Sequence, residues 1–531
     1  MRRKELFRKH ILSFAALCGL ALTIGSCASE ETAQNAGDNN DNDNDKNLTA
    51  FVAGAPESRT TMDYATGAFY WEAGDYIYVK DDNGTWRRSS NAPTTKTASY
   101  KFYVPGKFIA KDSYRVYYPG KGRARNEVRI RTDQEQETPR TTDHFGASGD
   151  CASAMATKAP GEARFTFTLD HQAAILVFQP YLGNNNKLVS TYVTKIEVSS
   201  DNNIAGSYTL DPTTGELTGT GTDKQITLKT IGGGAYANGF PLTKNTSDLS
   251  ENGAYMLIKP GTHTLTVKYT LKDVESNVEG TITQTLPSHE YKKNTYYNMK
   301  ANLLMTDYDG DHYYMWDAKK QFWDGYEWTK NLPGTQGQPT LRGDFSSNKP
   351  AGNTDPRWYN ETYLGSGNRY DAQTTLFRSL PNANEMSWYV MHGDPRWDKD
   401  RLWTTMRHLY KGGMWVKKKS ELQAEHHYNT EVSADEAVDL RYESKVYTNS
   451  TLKPGLPSAS EASKYFYLPA LGSYSDSGDL SSIGSSGFYW SSSSNTLVQG
   501  IAHALTFGSS GMRVGSYLTY RSNGMRVQTF E

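Results

Sequence analysis

Cysteine is almost missing from this chain, with three in 531 residues: Cys18, Cys27 and Cys151. Cys18 lies in an N-terminal leader and Cys27 closes it, so Cys151 is left alone and no internal disulfide framework can form. A buried small residue is the expected role of Cys151. An excess of charge of one sign is missing too. Lys+Arg 57 stand against Asp+Glu 58, and without a basic cluster in the body of the chain a nucleic-acid partner is not expected. Beyond residue 24 there is no apolar run long enough to cross a bilayer. No G-x-S-x-G, H-E-x-x-H, P-loop or dinucleotide fingerprint occurs, so neither an enzyme nor a cofactor is expected. Metal ligation is not expected either. Asp307-Tyr308-Asp309-Gly310-Asp311 has Ala318 where a calcium loop needs its twelfth-position Glu, and His426-His427 lacks metal-ligand spacing.

What the chain does have begins at its first residue. Arg2, Arg3, Lys4, Arg8 and Lys9 precede an apolar run from Ile11 to Ile24, which ends in Gly25-Ser26-Cys27. This is the layout of a secretory leader, and Ile24-Gly25-Ser26-Cys27 resembles the bacterial lipobox. The resemblance implies that Cys27 is lipidated and becomes the first mature residue, anchoring the protein to a membrane by acyl chains such as palmitate. Five basic residues and Glu5 leave with residues 1–26, which takes the charge balance to 52 basic against 57 acidic. Ala28-Ser29-Glu30-Glu31 resembles the signal that sends Bacteroidetes lipoproteins to the outer face of the outer membrane. Gly37 to Asn47 (GDNNDNDNDKN) has no apolar residue and reads as a solvated tether.

The chain as a whole is rich in aromatics, with 36 Tyr and 11 Trp, all beyond the tether, and holds 46 Gly. This suits β-sheet faces, contact surfaces and tight turns. Short strands are predicted from residue 48 to about 161, with Asp82-Asn83-Gly84 as a type I′ hairpin turn. From Ala163 to about Leu303, Phe165, Phe167 and Leu169 alternate, and Ala174-Ile175-Leu176-Val177-Phe178 reads as a strand buried on both faces. His171, at the change of pattern, is expected to be a satisfied core histidine.

These two blocks resemble the fimbrillin family of Bacteroidales pilins and surface lipoproteins. The residues that carry the likeness are the lipobox, Ser58-Arg59-Thr60, Trp71-Glu72-Ala73-Gly74-Asp75, Phe167–Ala173, Ala205–Asp211 and Tyr296-Tyr297-Asn298-Met299. The resemblance implies two transthyretin-like β-sandwiches. It also implies assembly with other fimbrial subunits by strand exchange, after an arginine-specific protease removes the first strand. Arg59 is the candidate processing site.

The third block changes character. Trp397 to Lys411 is predicted to be a helix with Leu402, Trp403, Met406, Leu409 and Tyr410 on one face. Ser433-x-x-Glu436 reads as a capping box opening a second, short helix. Tyr467–Ala470, Gly487–Ser492, Ala504–Phe507 and Asn523–Val527 resemble C-type-lectin-like domains of the paralogous type abundant in Bacteroidetes and Fibrobacter. The Glu-Pro-Asn, Gln-Pro-Asp and Trp-Asn-Asp signatures of calcium-dependent sugar binding are absent.

The resulting expectation is a mainly β protein, with two transthyretin-like β-sandwich domains followed by an α+β C-type-lectin-like domain. Its segments are the leader (1–26), lipidated Cys27 and tether (27–50), first sandwich (51–162), second sandwich (163–303) and lectin-like domain (304–531). The expected function is adhesion at the cell outer membrane and on a fimbrium, as a pilus-tip subunit whose short stretch after Arg526 leaves little to donate to another subunit. Arg513, Tyr517, Tyr520 and Arg521 are the candidate ligand contacts, because Tyr interleaved with Ser, Gly and Arg in loops makes an adaptable binding surface. A host or bacterial surface glycan or protein is the expected ligand. The competing readings are a non-polymerising glycan-binding lipoprotein and an enzyme on a lectin-like scaffold.

Overall fold

The computed structural model describes residues 48–53, 61–63, 68–183, 188–308, 310, 312–326, 348–516 and 519–531. Cys27, the tether as far as Asn47, Arg59 and Tyr517 lie outside them, and the last three residues of the expected tether segment, 48–50, belong to a strand. The described chain is mainly β, with 43% of residues in strands and 8% in helices. No described helix is long and apolar enough to cross a membrane.

The strand Leu48–Ala53 lies inside the first large sheet, not at its edge. It runs antiparallel to Tyr100–Pro105 and parallel to Arg164–Phe167, with Phe51 opposite both Phe102 and Phe165. Alternation places Phe51 and Ala53 inward, both fully buried. They join a core built from Trp71, Ile77, Val79, Val104, Val116 and Phe167. The strand Arg164–Phe167 thus completes the first sheet, so the pairing does not follow the expected break between residues 162 and 163. In the other direction, Glu127–Ile130 and Asp133–Glu135 pair with Gly206–Leu210 and Gln225–Lys229 of the following block.

The hairpin at Asp82-Asn83-Gly84 forms between Tyr78–Lys80 and Trp86–Arg88, but its turn is not type I′. Of the three turn residues only Gly84 has positive φ (74°). Asp81 Oδ1 accepts from the Asn83 and Thr85 amides at 3.0 and 2.9 Å. A carboxylate capping the turn from within favours this geometry over the mirror-image one.

In the second block, Ala174–Leu182 pairs antiparallel with Ala254–Ile258 and parallel with Thr295–Asn302. A second sheet is built from Val278–Thr285, Leu265–Asp273, Thr191–Ser200 and Gln225–Lys229. Between the sheets lies a core containing Leu176, Phe178, Ile196, Val198, Leu228 and Val267. The outer face of Ala174–Leu182 carries Ile175 and Val177, covered with Phe145, Tyr255 and Leu257. Burial on both faces explains why the run 174–178 is continuously apolar. His171 is buried with Nδ1 2.9 Å from Asp150 Oδ1, and Cys151 is a buried free thiol.

The third block corrects two expectations. Residues 397–411 are not a helix. Arg396–Thr405 and His408–Lys417 form a long hairpin, with Trp403 opposite Tyr410 and Thr405 opposite His408. Met406 and Arg407 make its two-residue turn at φ of 49° and 69°. The apolar spacing fits a helix face, but Trp, Thr, Leu and Tyr are also strand formers. Pairing with Tyr465–Pro469 and burial on both faces decide for the sheet. Ser433 likewise opens a turn and not a helix. Its Oγ donates to Asp435 Oδ1 and Val438 O, and Glu436 sits at φ 56°.

The longest helix among the described residues of this block is Ala383–His392. Its capping box has Asn382 Oδ1 accepting from the Glu385 amide at 3.0 Å and Glu385 Oε2 accepting from the Asn382 amide at 2.8 Å. Met386, Tyr389 and Val390 pack with Met414, Val416, Leu505 and Val514. The block closes on itself, with Tyr313–Tyr314 antiparallel to Met525–Arg526.

Buried histidines make this fold sensitive to acid. Burial lowers the pKa of both His144 and His503 to about 4. A depressed histidine contributes stability that is complete above its unfolded pKa of about 6.5 and declines as pH falls towards its folded value. Thermal stability is therefore expected to drop between about pH 6.5 and 4. His503→Gln should flatten that slope, as scanning calorimetry at several pH values would record.

A candidate binding cleft in the C-terminal block

The candidate contacts named from sequence do not form one site. Arg513 lies on Gly511–Gly515 opposite Thr506, and its Nε donates to Thr506 Oγ1 at 3.0 Å. Tyr520 pairs with Ile501. Thr506 and Ile501 are five residues apart, about 17 Å at the ordinary strand rise. Tyr520 is 50% exposed, as a contact residue must be.

Arg521 is the reverse: it is fully buried. Its Nε donates to Ile501 O at 3.1 Å, and its Nη1 donates to Asn360 O and Thr362 O at 2.8 and 2.9 Å. The guanidinium lies 4.3 Å from the Trp316 ring centroid. Burial lowers its pKa to about 10, against opposing contributions from Tyr370, Tyr359 and Asp317. The expectation of a surface arginine is thus corrected. Alternation in a Ser/Gly/Tyr-rich stretch suggests exposure, but inside the fold Nε and Nη1 find three backbone carbonyls and the guanidinium an indole face, with Nη2 left unpaired. Arg521 is a strut that holds residues 360–362 in place. Arg521→Lys loses the fork geometry and leaves carbonyls unpaired, so a loss of about 1–3 kcal/mol is expected in chemical denaturation.

The segment that Arg521 supports forms one wall of a cleft of about 760 Å³. Three further ties hold it. Asp317, buried at φ 53°, takes the Asn360 side-chain amide and the Gln373 backbone amide on Oδ2, each at 2.8 Å. Its Oδ1 takes the Thr374 amide and hydroxyl at 2.8 and 2.7 Å. Arg357 clasps Asp355 with Nη2 at 2.7 Å and reaches Asn348 O with Nη1 at 2.8 Å. Partial burial opposes ionisation of Asp355, but the hydrogen bonds from Arg357 prevail and hold its carboxyl below the usual range. The Lys319 and Lys320 amides both donate to Pro356 O, at 3.0 and 3.1 Å.

On this framework stand Trp358 and Tyr359, half-buried, with ring centroids 4.9 Å apart and planes at 34°. Trp358 Nε1 donates to Glu361 Oε1 at 2.8 Å, which fixes the indole. These residues were not singled out from sequence. The signal was there as Trp-Tyr-Asn following the Gly/Pro/Asn-rich loop, but the partners that order it lie in three distant segments.

Two other polar clusters belong elsewhere. Ser190, His408 and Asp273 meet in the interior, but the same ring nitrogen, His408 Nδ1, faces both Ser190 Oγ (3.1 Å) and Asp273 Oδ2 (3.3 Å). A nucleophilic triad needs the serine and the carboxylate on opposite ring nitrogens. His427, in the irregular segment after Lys419–Ala424, stacks on His392 at 4.1 Å between centroids beside Trp388. Among the described residues, no group of three or more His, Cys, Asp and Glu could hold a metal ion.

No protein-family model matches the chain, and no curated protein matches it in sequence. Solved structures similar to part of it include a candidate cell adhesion protein from Bacteroides ovatus ATCC 8483, at 17% identity and TM-score 0.31, covering 49% of this chain and 95% of that one. A fimbrial protein from the same organism matches at 11% identity and TM-score 0.24, covering 51% of this chain and 52% of that one. The fimbrial anchor protein Mfa2 from Porphyromonas gingivalis matches at 13% identity and TM-score 0.21, covering 45% and 82%. Similarities at this level set neither the family nor the function of this chain.

Proposed function

We propose that the chain is a cell-surface adhesion protein. In this reading it is a fimbrial tip subunit that docks to a pilus by strand exchange and presents its C-terminal block to a host or bacterial surface glycan or protein. The observation that carries the reading is the place of Leu48–Ala53. This strand sits between two partners in the first sheet, directly after the tether and six residues before Arg59. Cutting after Arg59 severs its covalent link to the rest of the sheet, and departure of the strand leaves a groove between Tyr100–Pro105 and Arg164–Phe167. Both groove walls then present unpaired backbone groups, a template for an incoming strand.

The C-terminal block fits the role of a head. Met525–Arg526 is enclosed by Tyr313–Tyr314 and Ser486–Ser494, and Phe530 packs on Tyr389 and Phe466. Those residues are committed to their own block and are not free to be donated. The preorganised cleft at Trp358 also favours a second reading, a non-polymerising glycan-binding lipoprotein of the outer membrane.

N-terminal sequencing of protein recovered from the cell surface tests the choice. A free terminus at Thr60 in purified fimbriae is the expected result. A lipid-blocked Cys27 on protein absent from fimbriae supports the second reading. Long filaments formed by the purified chain alone contradict a tip role.

A further inference from the structure

Taking the C-terminal block as the recognition head, on which this inference rests, we propose that the cleft at Trp358 and Tyr359 binds a saccharide, neutral or acidic, directly through side chains. Three observations select that class. First, two adjacent aromatic rings are held half-open at the cleft wall. The apolar face of a pyranose ring stacks on such a surface, as other flat ligands do. Second, apart from Asp317, Asp355, Lys319 and the ring of Pro356, the remaining lining is amide and hydroxyl, including Asn353, Thr354, Gln373 and Thr375. An acyl chain or an apolar peptide anchor finds no pocket there, whereas sugar hydroxyls find both donors and acceptors.

Third, the cleft's carboxylates are already used. Asp317 accepts four hydrogen bonds and Asp355 is paired with Arg357. Neither recruits a cationic ligand. The volume of about 760 Å³ lies in the range of small-ligand sites. The ties from Asp317, Arg357 and Arg521 mean that little ordering entropy remains to be lost on binding.

The test uses the full mature chain, with soluble mannan, xylan, dextran, galactan and the charged polygalacturonate as probes. Binding is read by isothermal titration calorimetry and tryptophan fluorescence, with EDTA present. The expected result is binding of at least one of these polysaccharides, weakened about tenfold or more by Trp358→Ala and only a few-fold by Trp358→Phe. Both variants should keep the melting temperature within about 2 °C, since Trp358 is half-exposed. No binding of any of these probes, or full binding by Trp358→Ala, overturns the proposal. Adhesion of cells displaying the chain separates the two ideas. Adhesion that survives Trp358→Ala removes the cleft and leaves the head, whereas no adhesion by the unaltered chain removes the adhesion reading itself.

Discussion

Phe51→Ala is expected to destabilise the first sheet by about 3–5 kcal/mol, read as a lower urea midpoint with little change in slope. The side chain is fully buried. Its ring lies 5.0 Å from that of Phe165 at an interplanar angle of 15°, and 5.3 Å from that of Phe108. Truncation therefore leaves a hole lined by aromatic rings on two neighbouring segments, and β-strands paired on both sides have little freedom to collapse into it. Val52 points to the opposite face and is only partly buried, so Val52→Thr should cost less than about 1 kcal/mol. The contrast matters for function. A strand held chiefly by one aromatic and the ladder hydrogen bonds is one that another strand of the same pattern can replace. Equal losses at positions 51 and 52 would contradict the inward register of Phe51.

The second large effect is expected at the joint between the second block and the hairpin. Asp273→Asn should cost about 3–5 kcal/mol, because it removes the charge from a fully hydrogen-bonded buried carboxylate. Asp273 accepts from Ser190 Oγ at 2.8 Å, Thr191 Oγ1 at 2.9 Å, the Glu275 and Ser276 amides at 3.0 and 3.1 Å, and the Leu409 amide at 3.1 Å. Burial by itself would raise its pKa. Hydrogen bonds from His408, the two backbone amides and Ser190 outweigh that and hold the carboxyl well below its ordinary range. A depressed carboxylate contributes stability that is present above its unfolded pKa of about 3.9 and is lost as pH falls through the folded value. The loss caused by Asp273→Asn should thus be constant from neutral pH to about 4 and shrink below it, which separates it from the histidine effect at pH 4–6.5. The same joint includes Ser276 Oγ donating to Leu409 O at 2.7 Å and Lys411 Nζ donating to Glu279 O at 2.8 Å.

Much of the fold was legible because its strands obey simple periodicity. Phe165, Phe167 and Leu169 alternate and are buried, and the unbroken run at 174–178 is covered on both faces. What sequence could not show was pairing at a distance. Nothing local in Arg164–Phe167 says that it lies parallel to Leu48–Ala53, or in Asp133–Glu135 that it joins Gln225–Lys229. The hairpin at 396–417 was misread because Met406-Arg407 lacks the Asn-Gly signature of a tight turn, while its apolar residues also satisfy a helical period. The helix at 383–392 carried its signal openly in Asn382-x-x-Glu385.

The candidate site was legible only at its edges. Tyr520 is exposed, but Arg521 beside it is interior, since its carbonyl partners come from residues 360, 362 and 501. Trp358 and Tyr359 owe their presentation to Asp317, Arg357 and Arg521, contacts that span up to 161 positions in sequence.

Cleavage of the purified mature chain with an arginine-specific protease, followed by titration with a labelled peptide spanning residues 47–53, tests the exchangeable strand most directly. The account predicts cleavage after Arg59 and saturable binding of the peptide by the cleaved form once its own strand has been displaced. The same peptide carrying Phe51→Ser should fail to bind. Cleaved protein that takes up neither peptide, or takes up both equally, would contradict it.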